Sequence, residues 1–472
     1  MLTKLHEECG VFGVYAKDGQ TDVISAAYYA LYALQHRGQE SCGIAVNCSG
    51  VITGHKDLGL VNEVFTQKVL EKLPRGEIAV GHCRYATTGN LTRNNAQPMH
   101  VNHRKGSLAL CHNGNLVNAQ ILREELELGG AIFHTTSDTE VIAYLITQER
   151  LRSDSIEEAV LATMTRIQGA YSLVMMSSQK LIAARDPHGF RPLCMGKIDN
   201  DIVFASESCA LDAIGATFVR DIEPGEVVVV SQKGIKSIRS SITCPSAMCV
   251  FEFIYFARPD SIIEGSSVHV ARLRAGAFLA LEHPIQADVV IGVPDSGLDA
   301  AVGYSRQSGI PYGIGFIKNK YIARTFITAG QHQRQNSVRI KLNAVGATVK
   351  GKRVVLVDDS IVRGTTSARI VNLLREAGAT EVHMRLSSPP FTNPCYFGVD
   401  IDSVENLIAA KHSVAEIAEI IGVDSLGFLN VDYLPKLADQ STCGFCTGCF
   451  TGKYPVDPPS QCRKYSFEQS LK

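Results

Sequence analysis

A thirteen-residue run restricts the folds open to this chain more than any other feature: Val-Val-Leu-Val-Asp-Asp-Ser-Ile-Val-Arg-Gly-Thr-Thr, at positions 354–366. Its apolar half predicts a buried strand that ends at Asp358 and Asp359, and its small residues predict a loop that leads into a helix. In an open α/β sheet, ligands bind at the carboxyl ends of the strands. The amides of the loop at 364–367 suit a phosphate, while the two carboxylates suit a ribose diol and a hard cation such as Mg²⁺. The structural alternative is an acidic turn that only caps a helix.

The sequence around this run alternates between apolar strands and helices. We predict strands at 289–293 and 354–357 and helices at 299–307 and 367–377. Strand, loop, helix and strand in this order indicate a parallel sheet wound with helices. Ser413 and Glu416 form a capping box, so a further helix is predicted from there to Gly422.

The first half of the chain has a different pattern, in which short β-rich runs surround two helical stretches. The runs predict strands at 9–15, 78–82, 108–112 and 171–176. One helix is well marked, because Ser155 and Glu158 form a capping box and Gly169 is expected just past its end. Apolar positions of this helix include Ala159, Ala162 and Ile167. The stretch at 235–249 is rich in Ser and lacks periodicity, so we expect the boundary between two domains there.

Composition limits the classes of function. With 472 residues, 45% of them hydrophobic, the chain is long enough for two or three domains that each bury a core. A net charge of -1 gives no basic field for a nucleic-acid partner. No apolar run approaches the ~20 residues of a membrane span, and residues 1–8 lack the apolar core of a signal peptide, so we expect a cytoplasmic protein without a membrane partner. In that reducing compartment the 14 cysteines are expected as buried hydrophobes, nucleophiles or metal ligands rather than disulfides.

The run at 354–366 resembles the phosphoribosyl pyrophosphate signature of the type I phosphoribosyltransferases, and the resemblance covers roughly residues 251–429. Residues 292–297, Gly-Val-Pro-Asp-Ser-Gly, resemble the pyrophosphate loop of that family, and the polar segment 318–341 resembles its mobile flap. The flap charges could equally form a solvated surface. The resemblance implies an α/β domain at 250–430. It implies phosphoribosyl pyrophosphate contacts by Asp358, Asp359, Arg363, Gly364, Thr365, Thr366, Lys320 and Arg324, and Mg²⁺ ligation by Ser296, Asp358 and Asp359.

Five segments in the first half form a second group of motifs. They are Cys-Gly-Val-Phe-Gly at 9–13, Gln-His-Arg-Gly at 35–38, residues 81–89, His-Asn-Gly at 112–114 and Ser-Asp-Thr-Glu at 137–140. A lone cysteine near the start of a chain is more often a buried hydrophobe than a nucleophile. Together, however, the segments resemble the N-terminal-nucleophile glutaminase domain of the amidotransferases. This resemblance implies that residues 9–235 form an α+β domain of stacked antiparallel sheets with helices.

Hydrolysis of an amide requires a nucleophile, a base and donors to the developing oxyanion. If residues 1–8 are removed, the thiol and a free α-amine share Cys9, and an amine with a pKa near 8 can move the proton of the thiol. The side-chain amide of Asn113 and the N–H of Gly114 can then donate to the oxyanion.

The α-carboxylate and the α-ammonium group of glutamine need charged binding partners. Arg84 can pair with the α-carboxylate, and Asp138 can hold the α-ammonium group. By resemblance Arg37 helps to structure the same pocket, although a structural ion pair is an equally good interpretation.

Cys443, Cys446 and Cys449 are spaced by two residues each, which allows thiolates to converge on one inorganic centre. By resemblance to an iron–sulfur subgroup, Cys249, Cys395, Cys446 and Cys449 would bind one structural [4Fe–4S] cluster, with Cys443 in reserve. Zinc is the chemical competitor. Residues 431–472 are expected as a tail that carries the last of these cysteines.

The whole chain resembles the glutamine phosphoribosylpyrophosphate amidotransferase family, including the leader at 1–8 of its iron–sulfur subgroup. The resemblance implies transfer of ammonia from glutamine to phosphoribosyl pyrophosphate, which gives phosphoribosylamine in the first step of purine synthesis. It also implies a homotetramer inhibited by purine nucleotides. A non-catalytic nucleotide-binding regulator and an iron–sulfur redox sensor are the rivals, but neither needs the glutaminase motifs. Glucosamine-6-phosphate and asparagine synthetases share those motifs but not the run at 354–366.

Overall fold

The computed structural model describes residues 9–85, 91–319, 342–401 and 403–459. Within these ranges no helix has the length and apolar character needed to cross a membrane. The first half, up to Arg239, consists of two antiparallel sheets that face each other and carry helices on their outer surfaces.

The first sheet has seven strands. In spatial order they are Thr217–Asp221, Cys194–Ile198, Asp201–Ala205, Gly10–Tyr15, Ile78–Arg84, Ser41–Cys48 and Val51–Leu58. All neighbouring strands are antiparallel. The strand that follows Cys9 is therefore central and buried on both faces, which fits its unbroken apolar run.

The second sheet has six strands and is also antiparallel. In spatial order they are Gly234–Arg239, Glu226–Ser231, Leu181–Arg185, Gly169–Ser177, Gly106–Leu116 and Met99–His103. Apolar side chains such as Val11 and Val80 from the first sheet meet Ala109 and Val174 from the second, so the two sheets share a core.

Helices cover both outer faces. Val23–Ala33, Val61–Val64, Gln67–Leu70 and Ser208–Ala213 lie on the first sheet, and Ala119–Leu128, Asp138–Arg152 and Ile156–Met164 lie on the second. The predicted stacked α+β fold is confirmed.

Three local predictions in this half were wrong. The sequence indicated two helical stretches, whereas four helices of nine residues or more are present among the described residues. Gly169 does not end the helix that begins after Ser155, because that helix stops at Met164 and Gly169 opens the next strand with φ +123°. The capping box is also incomplete: Ser155 accepts from the amide of Glu158, but the Glu158 carboxylate accepts from Asp154.

The second half contains a parallel sheet in the order Val289–Gly292, Arg353–Asp358, Glu381–Leu386 and Ser425–Phe428. Helices pack on its faces: Val268–Glu282, Leu298–Ser308, Gly346–Val349, Thr365–Glu376 and Val414–Ile421. The capping box of Ser413 and Glu416 is present. The predicted α/β fold is confirmed.

Short elements complete this half. Pairs of strands are formed by Met248–Cys249 with Phe445–Cys446, Ile262–Ile263 with Ser266–Ser267, and Phe316–Lys318 with Leu342–Ala344. Short helical segments lie at Glu252–Phe256, Val404–Asn406, Ile408–Ala410, Val431–Lys436 and Gly448–Thr451. The pairing of Met248–Cys249 with Phe445–Cys446 brings the segment around Cys446 next to the expected domain boundary.

Candidate active site

Cys9 lies at the head of the central strand of the first sheet and is 7% exposed. The following residue, Gly10, pairs with Cys83 of the neighbouring strand. The Cys9 thiol donates to the carbonyl oxygen of Tyr85 at 3.4 Å. The thiol therefore lies beside the end of the strand that carries Arg84.

Arg84 and Asp138 approach the same region from different elements. Arg84 is the last residue of its strand and is 2% exposed. Burial lowers the pKa of Arg84, while the nearby Cys9 and Asp138 act in the opposite direction. Asp138 is the first residue of a helix, and its Oδ2 accepts from the amide of Leu116 at 3.1 Å.

The Asp138 carboxylate is held in its charged form. Burial acts to raise the pKa of Asp138, but the neighbouring His112 and the amide of Leu116 outweigh it, so the pKa lies below the ordinary value of 3.8. The distance from His112 Nδ1 to Asp138 Oδ1 is 3.5 Å. At neutral pH this site offers a buried anion to an ammonium group.

Asn113 and Gly114 lie on the long strand of the second sheet. Asn113 is 1% exposed, and its Nδ2 has no hydrogen-bond partner among the described residues. Gly114 has φ +144°, and a Cβ at this position would lie 2.1 Å from the carbonyl oxygen of Ala170. Only glycine fits there, because it alone tolerates both the positive φ and the close approach of the Ala170 carbonyl beside Asn113.

Two histidines for which the sequence predicts no role, His82 and His112, join the sheets. His82 Nε2 lies 3.0 Å from the carbonyl oxygen of His112. Burial lowers the pKa of His82 to about 3, so this residue is neutral at physiological pH. The contact links the strand ending in Arg84 to the strand carrying Asn113. Both histidines lie within the quoted motifs, but spacing alone does not reveal a contact between two sheets.

Arg37 is fully buried behind Cys9. Its Nε donates to the carbonyl oxygen of Cys9 at 3.1 Å, and its other nitrogens donate to Glu207 and Glu252. Both interpretations of Arg37 are therefore compatible, because the residue forms buried ion pairs and also contacts Cys9.

Asp358 and Asp359 lie at the carboxyl end of their strand, as predicted, and are 3% and 4% exposed. The hydroxyl of Ser296 donates to Asp359 Oδ2. Because the strands are parallel, Gly292 and Asp358 meet at the same edge of the sheet. Ser296 and the acidic pair thus form one cluster of oxygen ligands, the type that Mg²⁺ prefers.

The next helix begins at Thr365 and presents its free amides at the same edge. Gly364 precedes it with φ +78°, a conformation that favours glycine. The Thr366 hydroxyl is buried and has no hydrogen-bond partner in the described part of the chain. Arg363 lies in the loop just before Gly364. This end of the helix suits a phosphate. Of the predicted flap contacts, Lys320 and Arg324 lie outside the described residues.

Four cysteines line one cavity: Cys249, Cys395, Cys446 and Cys449. The rest of the lining is formed mainly by apolar and aromatic side chains, Phe190, Val250, Phe251, Phe397, Val399 and Tyr454, together with Arg191. Burial raises the pKa of Cys446 to about 12 and that of Cys449 well above its ordinary value. Among the described residues, no group of three or more His, Cys, Asp or Glu side chains is arranged to hold a metal ion.

The two halves of the chain match two domain models. Residues 82–213 match a glutamine amidotransferase domain, and residues 265–387 match a phosphoribosyl transferase domain. The fold and the two sites therefore define an enzyme class, the glutamine amidotransferases with a phosphoribosyltransferase domain.

Comparison with similar proteins identifies the family within this enzyme class. The chain is 50% identical to an amidophosphoribosyltransferase of Synechocystis over 98% of its own length and 93% of that protein, and 49% identical to that of Bacillus subtilis over 96% and 95%. A solved structure of the B. subtilis glutamine phosphoribosylpyrophosphate amidotransferase complexed with ADP and GMP superposes with a TM-score of 0.90 at 48% identity, covering 98% of this chain and 100% of that one. The chain belongs to the amidophosphoribosyltransferase family. It transfers the amide nitrogen of glutamine to phosphoribosyl pyrophosphate, the first step of purine synthesis.

Proposed function

We propose that Cys9 is the nucleophile of glutamine hydrolysis and that its own α-amine is the base. The thiol is buried at a strand end beside Arg84, where a substrate amide can be shielded from water. A free amine with an ordinary pKa near 8 can accept the thiol proton and later deliver it to the leaving ammonia. This assignment requires that residues 1–8 be removed. We propose that the Cys9 thiol attacks the carbonyl of Glu8, so that a thioester forms as the Glu8–Cys9 peptide bond breaks and frees the α-amine, and that water then hydrolyses the thioester and releases residues 1–8.

Arg84 and Asp138 hold the amino-acid end of glutamine in this proposal. A guanidinium group binds a carboxylate through two parallel hydrogen bonds, and the ionised Asp138 binds the ammonium group. The buried environment supports the pairing, since water does not compete there for either charge.

The observation that carries the proposal is the buried amide of Asn113. A buried donor without a partner costs free energy unless a ligand satisfies it. Beside Gly114, the Nδ2 of Asn113 is suited to stabilise the oxyanion that forms when Cys9 attacks.

The second site is proposed to hold phosphoribosyl pyrophosphate. Asp358 and Asp359 would accept from the ribose hydroxyls, while Gly364, Thr365 and Thr366 would bind the 5-phosphate. Arg363, Lys320 and Arg324 are further proposed contacts that supply positive charge to the phosphates. Mg²⁺, when bound by Ser296, Asp358 and Asp359, would neutralise charge on the departing pyrophosphate. The chain's own groups orient the anomeric carbon toward incoming ammonia.

We propose that the cysteine-lined cavity holds a [4Fe–4S] cluster with Cys249, Cys395, Cys446 and Cys449 as its ligands. A single zinc ion would draw four thiolates to about 2.3 Å from one centre, whereas a cluster occupies a larger space between them. These four thiols line one cavity and Cys443 does not, which supports this set of ligands. A cluster there would join the segments of Cys249, Cys395 and the tail, which is a structural role.

Regulation by purine nucleotides is proposed from the B. subtilis relative, whose solved structure contains ADP and GMP. We also propose a homotetramer, as expected from the family resemblance. Titration of the purified chain with each nucleotide and measurement of its mass in solution test these two points.

One experiment tests the assignment of the glutaminase site. Cys9→Ala should abolish glutamine-dependent synthesis of phosphoribosylamine but leave ammonia-dependent synthesis intact, because the acceptor site has its own residues. Cys48→Ala, which replaces a half-buried cysteine at the far end of another strand of the same sheet, is the matched control and should retain both activities. Glutamine-dependent turnover by Cys9→Ala would show that the nucleophile is a different residue.

A further inference from the structure

A buried group of two arginines and two glutamates lies behind Cys9. The side chains of Arg37, Arg191, Glu207 and Glu252 are fully shielded from solvent. Their charges balance, yet burying four ionised groups costs free energy that apolar side chains of similar volume would not. Stability alone is therefore a weak explanation for this group.

The geometry of the group converges on one guanidinium. Nη1 and Nη2 of Arg37 donate to the two oxygens of Glu252 at 2.9 and 2.8 Å, a fork-like pairing. Nη1 also donates to Glu207 at 2.6 Å. With both sides of the guanidinium fixed in this way, the remaining Nε points at the carbonyl oxygen of Cys9, 3.1 Å away.

The second half of the chain supplies several of the groups that hold the Arg37 guanidinium, either directly or through Glu207. Glu252 follows the expected boundary at 235–249, and the amide of Arg258 and the hydroxyl of Ser261 donate to Glu207 at 2.9 and 2.7 Å. Arg191 Nη1 lies 3.6 Å from Glu252 and adds a second positive charge. A residue of the glutaminase half is thus oriented by groups from the phosphoribosyltransferase half.

We propose that Glu252 is a positioning residue for glutamine hydrolysis, because it holds the Arg37 guanidinium that in turn holds the carbonyl of Cys9. The inference rests on the proposed role of Cys9 as nucleophile and amine base. A chain terminus is mobile unless its backbone is tied down. The thiol and the α-amine are both attached to the Cα of Cys9, so fixing its carbonyl restricts the orientation of both reacting groups.

The test is the isosteric variant Glu252→Gln in the full chain. It removes one negative charge from the buried group of arginines and glutamates and leaves Arg84 and Asp138 in place. We expect kcat with glutamine to fall by ~10–100-fold, the loss typical of a small misplacement of reacting groups. The KM for glutamine and the rate with ammonia should stay close to wild type. Alkylation of Cys9 by iodoacetamide should slow as well, which reports on the thiol without any turnover.

Glu226→Gln is the matched control. Glu226 is another buried glutamate of the first half, paired with Arg220 at 2.7 Å on a strand of the second sheet. This variant should change the glutamine and ammonia rates in equal proportion. A selective loss with glutamine in Glu226→Gln, or equal loss with both donors in Glu252→Gln, would overturn the proposal.

Three further outcomes can be told apart. If Glu252→Gln is insoluble, the same measurements are made on Glu252→Asp, which keeps the charge but shortens the side chain. Unchanged activity of Glu252→Asp with glutamine would refute the positioning role of Glu252. If Cys9→Ala retains glutamine-dependent turnover, the assignment of the nucleophile fails instead. Loss of that turnover in Cys9→Ala together with a wild-type Glu252→Gln would overturn only the positioning role.

Discussion

Cys249 lies directly opposite Cys446 in a parallel pairing of two short strands. The neighbouring turn is tied to a third segment, because the carbonyl oxygen of Cys449 accepts from the amides of Thr392 and Asn393 at 3.2 and 3.1 Å. Three distant parts of the chain thus bring four thiols to one cavity. Because burial raises the pKa of the Cys446 and Cys449 thiols, these two are protonated at neutral pH, and the proposed metal centre would have to displace their protons.

The first prediction concerns that centre. Protein purified without oxygen should be brown and hold about four iron atoms per chain, as one [4Fe–4S] cluster requires. Cys249→Ser or Cys446→Ser should give unfolded or insoluble chain, since loss of a structural centre removes folding free energy. Metal analysis and the absorbance spectrum measure the first result, and the soluble yield measures the second.

The matched control for the cluster is Cys443→Ser. Cys443 belongs to the same tail, but its sulfur lies 2.8 Å from the hydroxyl of Ser441 and does not line the cavity. This variant should stay soluble and keep its iron. Zinc in place of iron, or iron lost from Cys443→Ser but kept in Cys446→Ser, would contradict the ligand assignment.

The second prediction concerns the acidic pair at the sheet edge. Asp358→Asn and Asp359→Asn should each lower synthesis with glutamine and with ammonia alike, by about 100-fold, because both donors need the same oriented ribose and neutralised pyrophosphate. Initial rates with each donor at saturating phosphoribosyl pyrophosphate measure this.

Asp288→Asn serves as the control for the acidic pair. Asp288 pairs with Arg353 at 2.9 Å at the opposite end of the same strands, away from the ligand crevice. Its substitution should leave both rates close to wild type. If either Asp358→Asn or Asp359→Asn lost only glutamine-dependent synthesis and kept ammonia-dependent synthesis, the assignment of the acidic pair to the phosphoribosyl pyrophosphate site would be wrong.

Much of this architecture could be predicted because its signals are local. The run at 354–366 combines an apolar strand, paired carboxylates and a glycine that allows a sharp entry into a helix, and each part depends on near neighbours in sequence. The same holds for the capping box at Ser413, which the structure contains.

The errors and omissions have a different origin. Gly169 follows a helical pattern, but its positive φ serves the start of a strand that pairs with Leu116. Tertiary pairing therefore outweighed the local signal for a helix end. The contacts of Arg37 with Glu252 and of His82 with His112 join residues distant in sequence, and a single sequence has no periodicity that reports such pairs.

The third prediction concerns Gly114. In Gly114→Ala the new Cβ would meet the carbonyl oxygen of Ala170 at 2.1 Å and force an L side chain to φ +144°. Backbone strain and overpacking together should cost ~3–5 kcal/mol in the free energy of unfolding. Displacement of the neighbouring Asn113 should also lower glutamine hydrolysis more than ammonia-dependent synthesis.

Gly106→Ala is the control for Gly114. Gly106 begins the same strand with φ +126°, but a Cβ there would meet nothing within 4 Å. Gly106→Ala should lower the free energy of unfolding only by the backbone strain, ~1–2 kcal/mol, and should keep both activities. Thermal unfolding and paired rate measurements compare the two variants, and equal effects would refute the packing argument.

The last prediction concerns the leader at 1–8. The proposed base is the α-amine of Cys9, and a nitrogen in a peptide bond cannot accept a proton at neutral pH. The unprocessed chain should therefore lack glutaminase activity while it retains synthesis from ammonia. Because Cys9 itself is proposed to attack the preceding carbonyl, intact-mass measurement should find the eight residues absent from the wild type and present in Cys9→Ala, apart from trimming of the initiator Met1. Asp138→Asn is the control, since it removes the proposed partner of the substrate ammonium group and leaves the Cys9 thiol in place; its mass should match the processed wild type while its KM for glutamine rises. Full glutaminase activity in a preparation whose mass includes the whole leader would refute both the processing and the role of the α-amine as base.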